Sequence, residues 1–127
     1  MDKQSSCILL VEDDHDVAFG VSLRLRSAGY QTLIAHDGHD GVSVARKARP
    51  TAIVMDVRMP RMNGLVALGK LQHDDRTKHI PIVMLSASVV DQQAALDAGA
   101  RYFLTKPYQP TTLLTAVERA ISENSHD

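Results

Sequence analysis

The segment IVMDVRMPRMNG, residues 53–64, sets a carboxylate, Asp56, directly behind an apolar run. Carrying an unpaired carboxylate into an apolar interior is strongly unfavourable. Asp56 therefore belongs where a buried strand surfaces and meets partners or a metal. Three other apolar runs end in comparable fashion. Glu12, Asp13 and Asp14 follow CILLV (7–11), Ser86 follows PIVML (81–85), and Lys106, itself followed by Pro107, comes after YFLT (102–105). Gathered at one edge, these carboxylates, hydroxyl and ammonium make a site for a hard cation and a phosphoryl group. Magnesium, or manganese in its place, takes oxygen ligands and keeps several waters. Two carboxylates about 5 Å apart repel by roughly 3 kcal/mol at an effective dielectric of 20, so such a cluster calls for a cation. Lys106 supplies one positive charge and a divalent metal more. Asp56 can then attack phosphorus while the metal, Lys106 and the Ser86 hydroxyl hold the three equatorial oxygens.

Each residue alone has a plainer explanation. Asp13 or Asp14 could cap a helix, Asp56 could end a strand in a turn, Ser86 could be another cap, and Lys106 a solvated charge. The argument rests on their joint occurrence at four run ends, which requires those ends to meet.

The elements that would bring them together are legible in the same sequence. Five short runs, CILLV, QTLIA (31–35), AIVM (52–55), PIVML and YFLT, read as strands. Several are apolar without alternation, as in a parallel sheet covered on both faces. Between them lie stripes at helical spacing: Val17, Val21 and Leu25; Leu65, Leu68 and Leu71; Leu113, Val117, Ala120 and Ile121; more weakly, Val42 with Ala45 and Val90 with Ala94. Gly29 and Gly99 stand where left-handed caps are expected, and Pro110 can open a last helix. Strand and helix alternate five times, which predicts an α/β, doubly wound sheet of five parallel strands with five helices. In such sheets ligands bind beyond the carboxyl ends of the strands, where strand order reverses.

Composition narrows the function. The 127 residues fit one domain, and 14 Lys+Arg against 15 Asp+Glu, scattered in no long block, argue against a nucleic-acid surface. The lone cysteine, Cys7, lies inside an apolar run and reads as a small core residue. The polar start, MDKQSS, and the lack of any long apolar run predict no signal sequence and no membrane span, hence a cytoplasmic protein. His36 and His39 in HDGHD lack further ligands at zinc spacing, and Asp37-Gly38 reads as a turn before a helix. The basic runs RMPRMNG and ARKARP have no stacking aromatics and read as solvated surface.

Taken together, ILLVEDD, IVMDVRMPRMNG, PIVMLSA and TKPY resemble the receiver domain of bacterial two-component response regulators over about residues 6–122. The resemblance implies a flavodoxin-like fold, CheY-like in strand order 2-1-3-4-5, with the first and third strands adjacent at the switch point. It implies that Asp56 accepts a phosphoryl group from a phosphohistidine on a sensor histidine kinase or phosphotransfer protein. Asp13, with Glu12 through water, and the backbone carbonyl of Arg58 would hold the metal together with Asp56. It further implies that Ser86 and Phe103 act as a switch and that Pro107 follows a cis bond. The signal would be read on the face of the fourth helix, fifth strand and fifth helix by a downstream partner or an output domain.

Two positions depart from the commonest family pattern: Ser86 where Thr is frequent, and Phe103 where Tyr is common. Tyr102, one residue away, should face the other side of its strand. Only SENSHD is expected beyond the last helix, suggesting either a stand-alone receiver or one cut from a longer regulator or hybrid kinase. An enzymatic rival, the haloacid dehalogenase class of phosphatases, uses a similar kit but places an acid two residues past its nucleophile. Here that residue is Arg58.

Overall fold

The computed structural model describes residues 6–124. Its elements alternate as β1 (Cys7–Val11), α1 (His15–Ser27), β2 (Gln31–Ala35), α2 (Gly38–Ala48), β3 (Ala52–Asp56), α3 (Gly64–Gln72), β4 (Ile82–Ser86), α4 (Asp91–Asp97), β5 (Tyr102–Thr105) and α5 (Pro110–Asn124). The strands form one parallel sheet in the order β2-β1-β3-β4-β5, so the chain reverses direction across the sheet between β1 and β3. This is the doubly wound α/β architecture expected from the alternation of runs.

Two apolar layers hold the sheet. Leu9, Val11, Ile53, Met55, Ile82 and Met84 point to one face and meet Val42 and Ala45 of α2, Leu68 and Leu71 of α3 and Ala95 of α4. Ile8, Leu10, Val54, Val83 and Leu85 point to the other, against Ala18, Val21 and Leu25 of α1 and Leu113, Val117 and Ala120 of α5. Every residue of β3 and β4 is buried, as uninterrupted apolar runs require of central strands. Each fully buried Leu, Ile or Met side chain contributes roughly 1.5–3 kcal/mol relative to exposure, and most of that sits in these two layers. Among the described residues no helix is long and apolar enough to cross a membrane.

The helical stripes are partly out of phase with expectation. Val17 is 42% exposed, and Ala18 takes the core position in α1. Val90 lies before α4 at 76% exposure and Ala94 is also exposed; Asp91 and Ala95 face inward instead. Leu65 and Ile121 are half-buried at the edges of their layers. Cys7 is half-buried at the start of β1, where burial raises its thiol pKa. The last helix runs to Asn124, so residues 122–124 belong to α5 and 125–127 fall outside the described residues, as do 1–5 at the start. Gly29 and Gly99 adopt φ of 103° and 112°, each just past a helix end, as anticipated for residues that need no Cβ clearance in the left-handed region.

Candidate functional site

Asp56 ends β3 and is 6% exposed; Glu12 follows β1 and is 4% exposed. Their strands are neighbours, with Val11 paired to Met55, so the two carboxylates emerge side by side at the reversal point. Asp13 lies on the solvent side, and suitable oxygens of Glu12, Asp13 and Asp56 all fall within 4.8 Å of one another. The capping question is settled by Asp14, whose Oδ1 accepts the Val17 N–H at 3.0 Å. Asp13 is thereby left to the cluster.

Lys106 reaches the carboxylates from the far side of the sheet edge. Its Nζ lies 2.7 Å from Asp56 Oδ1, donates to Oδ2 at 2.9 Å and to Glu12 Oε1 at 3.4 Å. Burial alone lowers the Lys106 pKa, but the hydrogen bond and charge of Asp56, then Glu12, carry it above the ordinary lysine value. Burial pushes Glu12 up to about 7; the Asp14 N–H hydrogen bond opposes this, the Asp56 charge adds to it, and Lys106 draws it back. One ammonium thus faces three carboxylates. Asp56 Oδ1 is also buried and receives no aligned hydrogen bond despite its contact with Nζ. A buried acceptor oxygen short of a hydrogen bond, beside two further carboxylates, suits a hard divalent cation, and the residues present fit one.

Local packing keeps Asp56 in place. The Gly64 N–H donates to the Val57 carbonyl, and a Cβ on Gly64 would run into the Asp56 carbonyl oxygen and lie 2.9 Å from the Val57 Cα. The start of α3 therefore seats directly on the backbone that carries Asp56, an approach open only to glycine. The Lys106–Pro107 peptide bond is cis, as the resemblance implied.

Ser86, at the end of β4, is 2% exposed, and its hydroxyl turns to α4: Oγ donates to Asp91 Oδ2 at 2.7 Å and accepts the Ser88 N–H at 3.1 Å. Arg58 grips the same carboxylate with both arms, Nε to Oδ2 at 3.0 Å and Nη2 to Oδ1 at 3.1 Å. These bonds, Arg58 first and Ser86 second, hold the Asp91 pKa below the usual carboxylate range. Asp91 was missed by sequence reasoning. An acidic residue opening a short helix looks like ordinary dipole pairing, and only its burial, at 8% exposure, marks it out.

Phe103 is half-buried and packs on the layer containing Met84 and Ala95. Tyr102 lies on the opposite face and donates its hydroxyl to Glu123 at 2.6 Å. His36 stacks on His15 with ring centroids 3.7 Å apart, and its Nδ1 donates to the Glu12 carbonyl at 3.0 Å. His36, the residue directly after β2, thus sits beside the Glu12 backbone. Asp37 caps α2, in keeping with the turn expected at Asp37-Gly38.

Comparison with known proteins agrees with this geometry. The sequence model for the response regulator receiver domain matches residues 8–118. Protein PilH of Pseudomonas aeruginosa is 33% identical over 91% of this chain and 97% of its own length. The DNA-binding transcriptional regulator RpaA of Synechocystis is 35% identical over 87% of this chain but 46% of its own, so the chain spans about half the length of that relative. Among solved structures, the receiver domain of a Pseudomonas aeruginosa sensor histidine kinase, with a magnesium ion coordinated in its active-site cleft, superimposes with a TM-score of 0.85. It is 32% identical, over 92% of this chain and 98% of that one. The chain belongs to the response regulator receiver domains, the CheY-like phosphoacceptor modules of two-component signalling.

Proposed function

We propose that Asp56 is the phosphoacceptor of this receiver, and that the domain spans residues 6–122. The observation that carries this reading is the buried Asp56 carboxylate, bridged by Lys106 to Glu12 and lying with Glu12 and Asp13 so that an oxygen of each is within 4.8 Å of the others. An Asp56 oxygen attacks the phosphorus of a phosphohistidine. The new P–O bond makes an acyl phosphate, the P–N bond breaks, and the imidazole nitrogen leaves with the electron pair. Lys106, already within 2.7 Å of Asp56, pairs with the negative charge of the incoming group. Ser86, at the adjacent strand end, offers a hydroxyl proton to a second oxygen. Glu12, Asp13, Asp56 and the backbone carbonyl of Arg58 are the residues to hold magnesium or manganese, which when bound neutralises charge on the phosphoryl oxygens.

The phosphodonor is a sensor histidine kinase or a phosphotransfer protein. The reader of the modified state is a downstream protein or an attached output domain. Docking on either is protein to protein, with no direct nucleic-acid contact by this domain, and takes place in the cytoplasm. Incubation with acetyl phosphate and magnesium should place one acyl phosphate on Asp56, detected as hydroxylamine-sensitive mass and mapped by proteolysis. Modification that persists in Asp56→Asn, or that proceeds equally in excess chelator, would overturn the assignment.

A further inference from the structure

Resting on that reading, we propose that Asp91, held by Arg58, is a positioning residue that withholds the Ser86 hydroxyl from the phosphoryl group and so sets how readily the phosphorylated state forms. A serine hydroxyl has a single proton. Here that proton is given to Asp91 Oδ2 at 2.7 Å, and the Ser88 N–H occupies an acceptor side of the same oxygen at 3.1 Å. Ser86 cannot donate to a phosphoryl oxygen on Asp56 without first leaving Asp91. Two charge-assisted hydrogen bonds from Arg58 fix Asp91 as the better-placed acceptor. The restraint spans three elements: Arg58 lies in the β3–α3 loop two residues past Asp56, Ser86 ends β4, and Asp91 opens α4. Breaking the Ser86–Asp91 bond removes one of the ties on the first turn of α4 and leaves it held through Arg58; the residues preceding that turn, Val89 and Val90, are 62% and 76% exposed. The Arg58 side chain is 65% exposed and is free to swing out when Asp91 is released.

The experiment measures the affinity of the magnesium-loaded chain for beryllofluoride, a non-covalent phosphoryl mimic, by NMR titration of backbone amides. It compares wild type, Asp91→Ala, Ser86→Ala and the double variant. Removing the competing acceptor should tighten beryllofluoride binding roughly five- to tenfold when Ser86 is present, the equivalent of about one hydrogen bond of ordinary net strength. In the Ser86→Ala background the same substitution should change affinity by less than about twofold, because no proton is left to compete for. Any gain from a freed Arg58 would survive Ser86→Ala and is thereby separated from the restraint. If Asp91→Ala loses native amide dispersion, Asp91→Asn is used; as a neutral and weaker acceptor it should tighten binding in the same Ser86-dependent way. Equal effects in both backgrounds, or unchanged or weaker binding with Ser86 present, would overturn the proposal and leave the phosphoacceptor reading standing. Wild type that binds no beryllofluoride would overturn both.

Discussion

Asp13 is the carboxylate whose removal separates the two opposing effects of the acidic corner. Without metal, three carboxylates face one ammonium, and Glu12 is raised to about 7, by burial first and by the neighbouring Asp56 charge after it. Under the proposed phosphoacceptor reading, the same crowding supplies the ligand set once metal binds. Magnesium at ten times its dissociation constant should stabilise the wild type by about 1.4 kcal/mol through linkage. Asp13→Asn should remove that increment and, by relieving repulsion, leave the metal-free protein as stable as the wild type or more so. Thermal melts with magnesium and with chelator give both quantities; an undiminished increment in Asp13→Asn would exclude Asp13 from the site. Glu12, Asp13, Asp56, Ser86 and Lys106 were all legible in the sequence because each follows directly on an apolar run, so strand order alone gathers them. Asp91 was not, because it reaches the site through a helix turn and a rotamer. Neither the Ser86 hydroxyl direction nor the Arg58 fork leaves a mark in residue spacing.

At the scale of elements, the strands are better specified than the helices that cover them. A run buried on both faces has no phase to mistake, and the β3 run differs from its strand by one residue at its end and the β4 run by one residue at each end. A helix must be rotated correctly, and in α1 a valine on the wrong face (Val17) competes with an alanine on the right one (Ala18). The connection HDDRTKHIP shows a device that periodicity cannot reveal. Asp74 accepts from the Arg76 side chain and N–H, and also from Arg46 Nε at 2.8 Å, tying the end of α2 to the turn after α3. The Arg76 side-chain bond first, then its N–H, hold the Asp74 pKa far below the ordinary carboxylate range. A depressed folded-state pKa gives stability that is present above the unfolded value, near 4, and is lost as pH falls toward the folded one. Asp74→Asn should therefore be less stable than the wild type at pH 7, with the difference shrinking steadily as pH drops below about 4. Urea melts across that range measure it. A difference independent of pH would mean that Asp74 acts through packing rather than charge.

For the whole molecule, the question is which way a change at Asp56 spreads through a sheet that continues on both sides of it. Toward β2, the site is tied by main-chain bonds, Glu12 N–H to the Ala35 carbonyl at 3.0 Å, and by His36 on the Glu12 carbonyl. A phosphoryl group has no call on either bond. Toward β5, the connection runs through the side chain the phosphoryl group would engage. Ser86 Oγ holds Asp91 on α4, and the Ser86 carbonyl accepts the Lys106 N–H at 2.8 Å. The disturbance should accordingly pass to α4 and β5, where Phe103 is half-buried against the layer that α4 helps to form. Hydrogen exchange with and without beryllofluoride and magnesium tests this direction. Amides that exchange only by global unfolding will slow throughout, because any ligand of the native state does that. The informative amides are those that exchange by local opening. Among these, rates should change over residues 86–97 and 102–106 and stay the same over 31–48. Equal change on the two sides, or change confined to β2 and α2, would show that the sheet itself carries the signal and that the Ser86–Asp91 connection does not direct it.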